Sequence, residues 1–185
     1  MKRFGAVILL VLFLSGCGGA SGEMNRILML REKLQKGACA FTAKVTADYG
    51  DKLYIFTLNC VGDAQGDLSF TVEEPDSISG ITGRITGAGG ELTFEDTALS
   101  FPLMADGQVT PVSGPWLLLK TLRSGYLSSA GMDGEYLRLC MDDSYRDDAL
   151  HLDIWVNGEN MPVKAEILYS GRKILSLEVA SFAIS

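Results

Sequence analysis

One histidine, four cysteines and a surplus of carboxylates are the side chains with which this chain could do catalysis, bind a metal or accept a covalent group. The histidine, His151, lies in His151-Leu152-Asp153-Ile154-Trp155. Strand alternation there would set His151, Asp153 and Trp155 on one face and the apolar residues on the other. A hydrolase needs a nucleophile, a base and a group to orient the base. No Gly-x-Ser-x-Gly elbow or comparable motif accompanies His151, so a surface or rim position is expected, no catalytic residue is assigned, and the chain is read as a non-enzyme. Asp142, Asp143, Asp147 and Asp148 surround Ser144-Tyr145-Arg146. Carboxylates so close together can hold calcium, but the spacing is not that of an EF-hand loop and its turning glycine is missing. A solvated loop is expected. The glycines between Gly80 and Gly90 could cradle a phosphate, yet Glu91-Leu92-Thr93-Phe94 continues as a strand and supplies no helix N-terminus.

The cysteines divide into one and three. Cys17 ends the stretch Leu14-Ser15-Gly16-Cys17, after a positive start at Lys2 and Arg3 and an apolar run from Gly5 to Leu14. That run is too short for a bilayer core of roughly 30 Å, and its order is that of a cleaved signal peptide. Leu-Ser-Gly-Cys is also the lipobox pattern, in which the thiol is lipidated and becomes the new N-terminus. Residues 1–16 are therefore expected to be removed, residues 17–23 to form a diacylglyceryl-bearing Cys17 and a flexible Gly/Ser tether, and residues 24–185 to form one domain. The expectation is an exported protein, held by Cys17 on the outer face of the cell membrane or another envelope membrane. Cys39, Cys60 and Cys140 remain, with no CxxC and a distant histidine, so neither metal nor cofactor is expected. Export permits a Cys39–Cys60 disulfide; equally, all three can be small buried side chains.

The elements that position these residues follow from period. Residues 23–35 place Met24, Ile27, Leu28 and Leu34 at helical spacing, and Gly37 stops the helix. The period then becomes two. Cys39, Phe41, Ala43, Val45 and Ala47 share one face, and a hairpin through Tyr49-Gly50 aligns Val45 with Tyr54, Ala43 with Phe56, Phe41 with Leu58 and Cys39 with Cys60. Further strands are expected at about 68–73, 78–86, 91–96, 99–104 and 135–142. A helix from Pro115 to about Arg123, apolar around much of its circumference, starts with proline and ends before Gly125. Two last hairpins turn at Asn157-Gly158 and at Ser170-Gly171-Arg172, the second aligning Ile167 with Leu175 and Ala165 with Leu177. Leu103-Met104, before Asp106-Gly107, would form an apolar tip for a membrane or an acylated client if it were exposed.

The net charge is −7 for the whole chain and falls to −9 once Lys2 and Arg3 are cut away. Such a body repels nucleic acid and anionic head groups, so no nucleic-acid partner is expected and any lipid would be gripped by its tail. The order of elements, with the stretch from Phe70 through Glu73-Glu74-Pro75 and Phe101-Pro102 to Trp116-Leu117-Leu118-Leu119, resembles the LolA/LolB-like superfamily of lipoprotein carriers and receptors. It is similar above all to small lipobox-bearing relatives such as the spore germination lipoprotein GerS. The resemblance implies a mainly β, α+β fold: a curved antiparallel sheet forming an incomplete barrel, with the N-terminal and the inserted helix on its concave face. It also implies an apolar cavity for an acyl chain, a lipid or an acylated protein, here lined by Phe41, Phe56, Leu58, Trp116 and Leu119. The alternative it implies is a scaffold supporting a cell-envelope or spore cortex enzyme such as an amidase.

Overall fold

The computed structural model describes residues 19–95, 97–105 and 108–185; the expected signal peptide, Cys17 and Asp106-Gly107 lie outside these. Helix α1 spans Gly19–Lys36, so residues 19–22, read as tether, form its first turn. Its buried stripe is Ile27, Leu30 and Leu34, whereas Met24, Leu28 and Met29 face outward. This corrects the expected stripe. Met24 and Leu28 share a flank of the helix with Arg31 and Gln35, whose long side chains reach carbonyls of the second helix, and the core-facing stripe is centred one position away, on Ile27, Leu30 and Leu34. No helix among the described residues is long and apolar enough to cross a membrane.

After α1 the chain runs as a meander of β1 (Cys39–Asp48), β2 (Leu53–Gly62), β3 (Leu68–Glu74), β4 (Thr82–Thr86), β5 (Gly89–Phe94) and β6 (Thr97–Phe101). A two-stranded ribbon follows, β7 (Met104–Ala105) with β8 (Gln108–Val109), and then helix α2 (Gly114–Ser124). A second meander, β9 (Tyr126–Asp133), β10 (Tyr136–Asp142), β11 (His151–Val156), β12 (Pro162–Tyr169) and β13 (Arg172–Ile184), returns to pair β13 with β1. The result is one antiparallel sheet of 11 strands in the order β6-β5-β4-β3-β2-β1-β13-β12-β11-β10-β9. It is curved and unclosed, with β6 and β9 as edges, and the two helices pack on its inner face. The mainly β half-barrel with an N-terminal and an inserted helix is thus the fold.

The β1–β2 register differs from the expected one by two residues. Phe41 faces Cys60, Ala43 faces Leu58, Val45 faces Phe56, and Cys39 faces Gly62 rather than Cys60. The turn causes the shift: four residues, Tyr49 to Lys52, close it, with the Tyr49 N–H donating to the Lys52 carbonyl at 3.0 Å and the Gly50 N–H to Asp48 Oδ1 at 2.8 Å. Gly50 takes a φ of +90°, which favours glycine. A slip of two keeps every side chain on its face, so the apolar set still points inward. Gly62 is needed for close approach, because a Cβ there would lie 2.6 Å from Leu119 Cδ1 and 3.0 Å from Cys39 Sγ.

Cys39 and Cys60 are buried free thiols, and Cys140 is a half-buried one. Burial pushes the Cys39 and Cys60 thiols well up from their ordinary range. Because the thiolate is the reactive form, an aromatic disulfide reagent at pH 8 should modify Cys140 first and reach Cys39 and Cys60 only on unfolding. Two thiols missing even after unfolding would instead reveal a Cys39–Cys60 bond.

Helix α2 starts at Gly114, one residue before the expected Pro115, which takes its second position, and is followed by Gly125, whose N–H donates to the Thr121 carbonyl. Leu117, Leu118, Leu119 and Leu122 are all buried between α1 and strands β1, β2, β11 and β13. Thr121, fully buried on the same helix, has a hydroxyl without a partner. Thr121→Val keeps the shape and removes the orphan group, and should raise stability by about 1 kcal/mol in denaturant unfolding.

Candidate functional site

Each helix C-terminus leaves carbonyls without intrahelical donors, and here the two helices supply one another. Arg31 of α1 donates from Nε to the Leu122 carbonyl at 3.0 Å and from Nη2 to the Gly125 carbonyl at 2.7 Å. Gln35 Nε2 donates to the Arg123 carbonyl at 2.8 Å. In return Arg123 of α2, only 7% exposed, donates from Nε to the Leu34 carbonyl at 2.9 Å and from Nη2 to the Asp63 carbonyl in the β2–β3 loop at 2.5 Å. A guanidinium at a helix C-terminus is also favoured by the helix dipole. The same Asp63 organises its own loop, since Asp63 Oδ1 accepts from the N–H groups of Gln65, Gly66 and Asp67. Trp116 locks that loop from the other side, donating from Nε1 to the Gly66 carbonyl at 2.8 Å.

These clamps hold open a cleft of about 570 Å³ at one end of the half-barrel. Trp116, Leu117, Leu150 and Val109 form its apolar inner surface, and Leu103 and Met104 form one wall. Lys120 and Asp143 stand at the rim: Lys120 Nζ lies 2.9 Å from Asp143 Oδ2 and 5.6 Å from the centre of the Trp116 ring. Asp143 Oδ1 also accepts the Leu150 N–H at 2.9 Å, which fixes the β10–β11 loop against the cleft. Gln35, Gln65, Asp67, Arg123 and Ser124 complete the lining, so the cleft joins an apolar surface to a polar border and is suited in size to a small ligand or one apolar chain.

Of the five residues expected to line a cavity, Trp116 alone reaches this cleft. Phe41 and Leu58 lie deep in the core beneath the helices, Phe41 stacked on Phe182 with ring centres 5.0 Å apart, and Leu119, on α2, packs down onto the sheet at Gly62. Phe56 is half-buried beside Tyr54, the ring centres 6.3 Å apart. The helices therefore fill most of the concave face. Leu103 and Met104 are packed against the core rather than exposed, so the apolar tip expected there does not exist. The four aspartates of the 142–148 loop do not converge: Asp142 pairs with His151, Asp143 with Lys120 and Asp148 with Arg146, and Asp147 is exposed. No calcium loop is formed there. Of the other cleft residues, Val109, Lys120 and Leu150 were missed in the sequence, Leu103 and Met104 were read as an apolar tip if exposed and Asp143 as one of a carboxylate cluster; they belong to the β7–β8 ribbon and its approach, the rim of α2 and the β10–β11 loop. For Val109 and Leu150 the only local signal is apolar spacing inside a turn-rich stretch.

No protein-family model matches the chain, and no curated protein matches it. Solved structures similar to it include a conserved protein from Thermus thermophilus, at 13% identity and a TM-score of 0.47, covering 91% of this chain and 88% of that one. A LolA superfamily protein from Nitrosomonas europaea is 12% identical with a TM-score of 0.42, over 84% of this chain and 91% of its own. The Mycobacterium tuberculosis lipoprotein LppX is 13% identical with a TM-score of 0.42, over 87% and 93%. A LolA superfamily protein and a lipoprotein thus stand among the similar structures, and at these identities the likeness is one of fold, carrying nothing about ligand or partner.

Proposed function

We propose that the chain is a non-enzymatic lipoprotein, anchored in the cell envelope through diacylglyceryl-Cys17, that takes one apolar chain, from a lipid or an acylated protein, into the Trp116 cleft. The observation that carries this reading is a cleft in which Leu103, Met104, Val109, Trp116, Leu117 and Leu150 stand beside a polar border that includes Lys120 and Asp143. An acyl tail would lie against the apolar surface, and its polar end would meet the polar border. Because Leu117, Leu118 and Leu119 fill the space beneath, room exists for one chain rather than a bilayer-sized load. The outward Met24, Leu28 and Met29 of α1, the helix that follows residue 17, also fit a membrane-adjacent face.

A fluorescent fatty acid should bind saturably to the purified protein. Met104→Glu, which puts a charge into the half-buried cleft wall, should weaken that binding about tenfold or more, roughly 1.4 kcal/mol. Unchanged affinity in Met104→Glu would mean that the chain sits elsewhere.

A second reading, a scaffold for a cell-envelope enzyme such as an amidase, draws on Leu53, Tyr54 and Ile55, three consecutive exposed apolar residues where β2 begins. It requires that charged substitutions at these positions abolish partner stimulation while leaving fatty-acid binding intact.

A further inference from the structure

On the face of β10 and β11 opposite the core, Cys140 stands across from Asp153 and Asp142 across from His151. Leu137, Leu139 and Met141 of β10, with Leu152, Ile154 and Val156 of β11, occupy the other face, so the polar set is held by rigid strands rather than by a loop. His151 Nδ1 lies 2.8 Å from Asp142 Oδ1; a carboxylate oxygen accepts, so this hydrogen bond takes its proton from Nδ1, and in the neutral ring Nε2 is then the free lone pair. Nε2 points to Asp153 Oδ1 at 3.6 Å, too far for a hydrogen bond. The Cys140 sulfur completes the group: one donor atom each from Cys140, His151 and Asp153 lie within 4.8 Å of one another.

We propose that Cys140 Sγ, His151 Nε2 and the Asp153 carboxylate form a binding site for a divalent cation of the zinc type, with Asp142 orienting the imidazole and the fourth position open. The donor set of sulfur, nitrogen and carboxylate oxygen is one that zinc takes, and three protein ligands with an open position is a recurrent arrangement. Two donor atoms each about 2.0–2.2 Å from one ion at a tetrahedral angle lie roughly 3.3–3.6 Å apart, which the Nε2 to Oδ1 separation of 3.6 Å meets. Asp142 supplies the carboxylate–histidine contact that fixes the ligating tautomer. Arg138 donates to both Asp153 oxygens, at 2.8 and 3.3 Å, and holds that carboxylate in place while each oxygen retains a lone pair. A groove of about 370 Å³ bordered by Ser129, Met132, Arg138 and Cys140 gives solvent access from the β9 side.

Burial pushes the Cys140 thiol up, with Asp153 adding to the effect and Ser129 opposing it, so the bare residue is less reactive than an exposed thiol. On binding, the cation replaces the Cys140 proton, which leaves to solvent. Thiolate and Asp153 then balance the two positive charges of the ion, and Arg138 and Asp142 balance one another. The ligands come from two strands on either side of a loop, which is why no ligand spacing is visible along the sequence.

The test is titration of the full chain in detergent with Zn2+ by calorimetry and with Co2+ by absorption spectroscopy. One equivalent of Zn2+ should bind, Co2+ should give a thiolate-to-metal charge-transfer band, and equimolar Zn2+ should protect Cys140 from alkylation. Cys140→Ser should abolish the band, and Asp142→Asn should weaken binding about 10–100-fold. Absence of stoichiometric binding by the unmodified protein, or of the charge-transfer band, overturns the proposal whatever the variants do. Binding that survives unchanged in Cys140→Ser and His151→Gln overturns it as well.

Discussion

Arg123→Met should lower the stability of the fold by about 3–5 kcal/mol, since each hydrogen bond to a charged donor is worth about 1.5–3 kcal/mol and two carbonyls lose theirs. Methionine keeps most of the aliphatic stem, so lost packing is a minor part of the effect. The Leu34 and Asp63 carbonyls lose their guanidinium donor at positions where little water can replace it. Thermal unfolding of a domain this size should shift down by about 2–4 °C per kcal/mol, giving roughly 6–20 °C in all. Because the same side chain ties α1 and the β2–β3 loop to α2 and borders the cleft, fatty-acid affinity should fall with it. A shift of only a degree or two would mean that water satisfies these carbonyls and that the mutual capping of the helices contributes little.

Leu118→Ala should be as costly for a different reason. Leu118 is fully buried at the middle of α2, between α1 and the inner face of the sheet. Removing its three outer carbons loses their transfer free energy and leaves a cavity, a combination that costs about 2–5 kcal/mol. The upper part of that range is expected, because reciprocal caps hold α2 at its C-terminal end and Trp116 holds its start, leaving the site little freedom to collapse. Chemical denaturation should show the midpoint fall with an unchanged slope. A loss below about 1 kcal/mol would show that the helix relaxes inward, as a loosely held plug would. Fatty-acid binding in Leu118→Ala should persist at temperatures where the variant is folded, because Leu118 lies beneath the cleft and not on its wall.

Much of the architecture was legible because it rests on period and turn chemistry. The switch from helical spacing at Met24, Ile27, Leu28 and Leu34 to alternation at Phe41, Ala43 and Val45 marks α1 and β1, although only Ile27 and Leu34 of the four are buried, and Pro115 with Gly125 brackets α2. The β12–β13 pairing of Ile167 with Leu175 and Ala165 with Leu177 is as the alternation requires. It is reached differently: Ser170 and Gly171, both at positive φ, form a two-residue turn, and a bulge between Ile167 and Leu168 restores the register. The β1–β2 register was not legible, because a slip of two leaves every side chain on its face and only the turn at Tyr49 to Lys52 selects between them. Strand β9 shows no clean alternation because a bulge takes up Ser128 between Leu127, opposite Met141, and Ser129, opposite Cys140, so Leu127 falls out of step with Ala130 and Met132.

The candidate sites were less legible for a physical reason. An aromatic or leucine on the inner face of a sheet reads the same whether the space above it is empty or filled. Phe41 and Leu58 lie under the helices, Leu119 of α2 fills the space above the sheet, and the open volume collects where helix, loop and ribbon fail to meet. The residues around that volume come from widely separated stretches of chain. The cluster around His151 is closer to legible: alternation placed His151 and Asp153 on the outer face, and only the pairing of β10 with β11 was needed to bring in Cys140 and Asp142.

The most direct test of the proposed function is mass spectrometry of the protein purified from a bacterial envelope under native conditions, followed by solvent extraction of what travels with it. An acyl chain in the Trp116 cleft predicts about one equivalent of lipid in addition to any on Cys17, displaced by excess fatty acid and reduced in Met104→Glu. Protein free of such lipid, with no fatty acid bound on titration, would contradict the account.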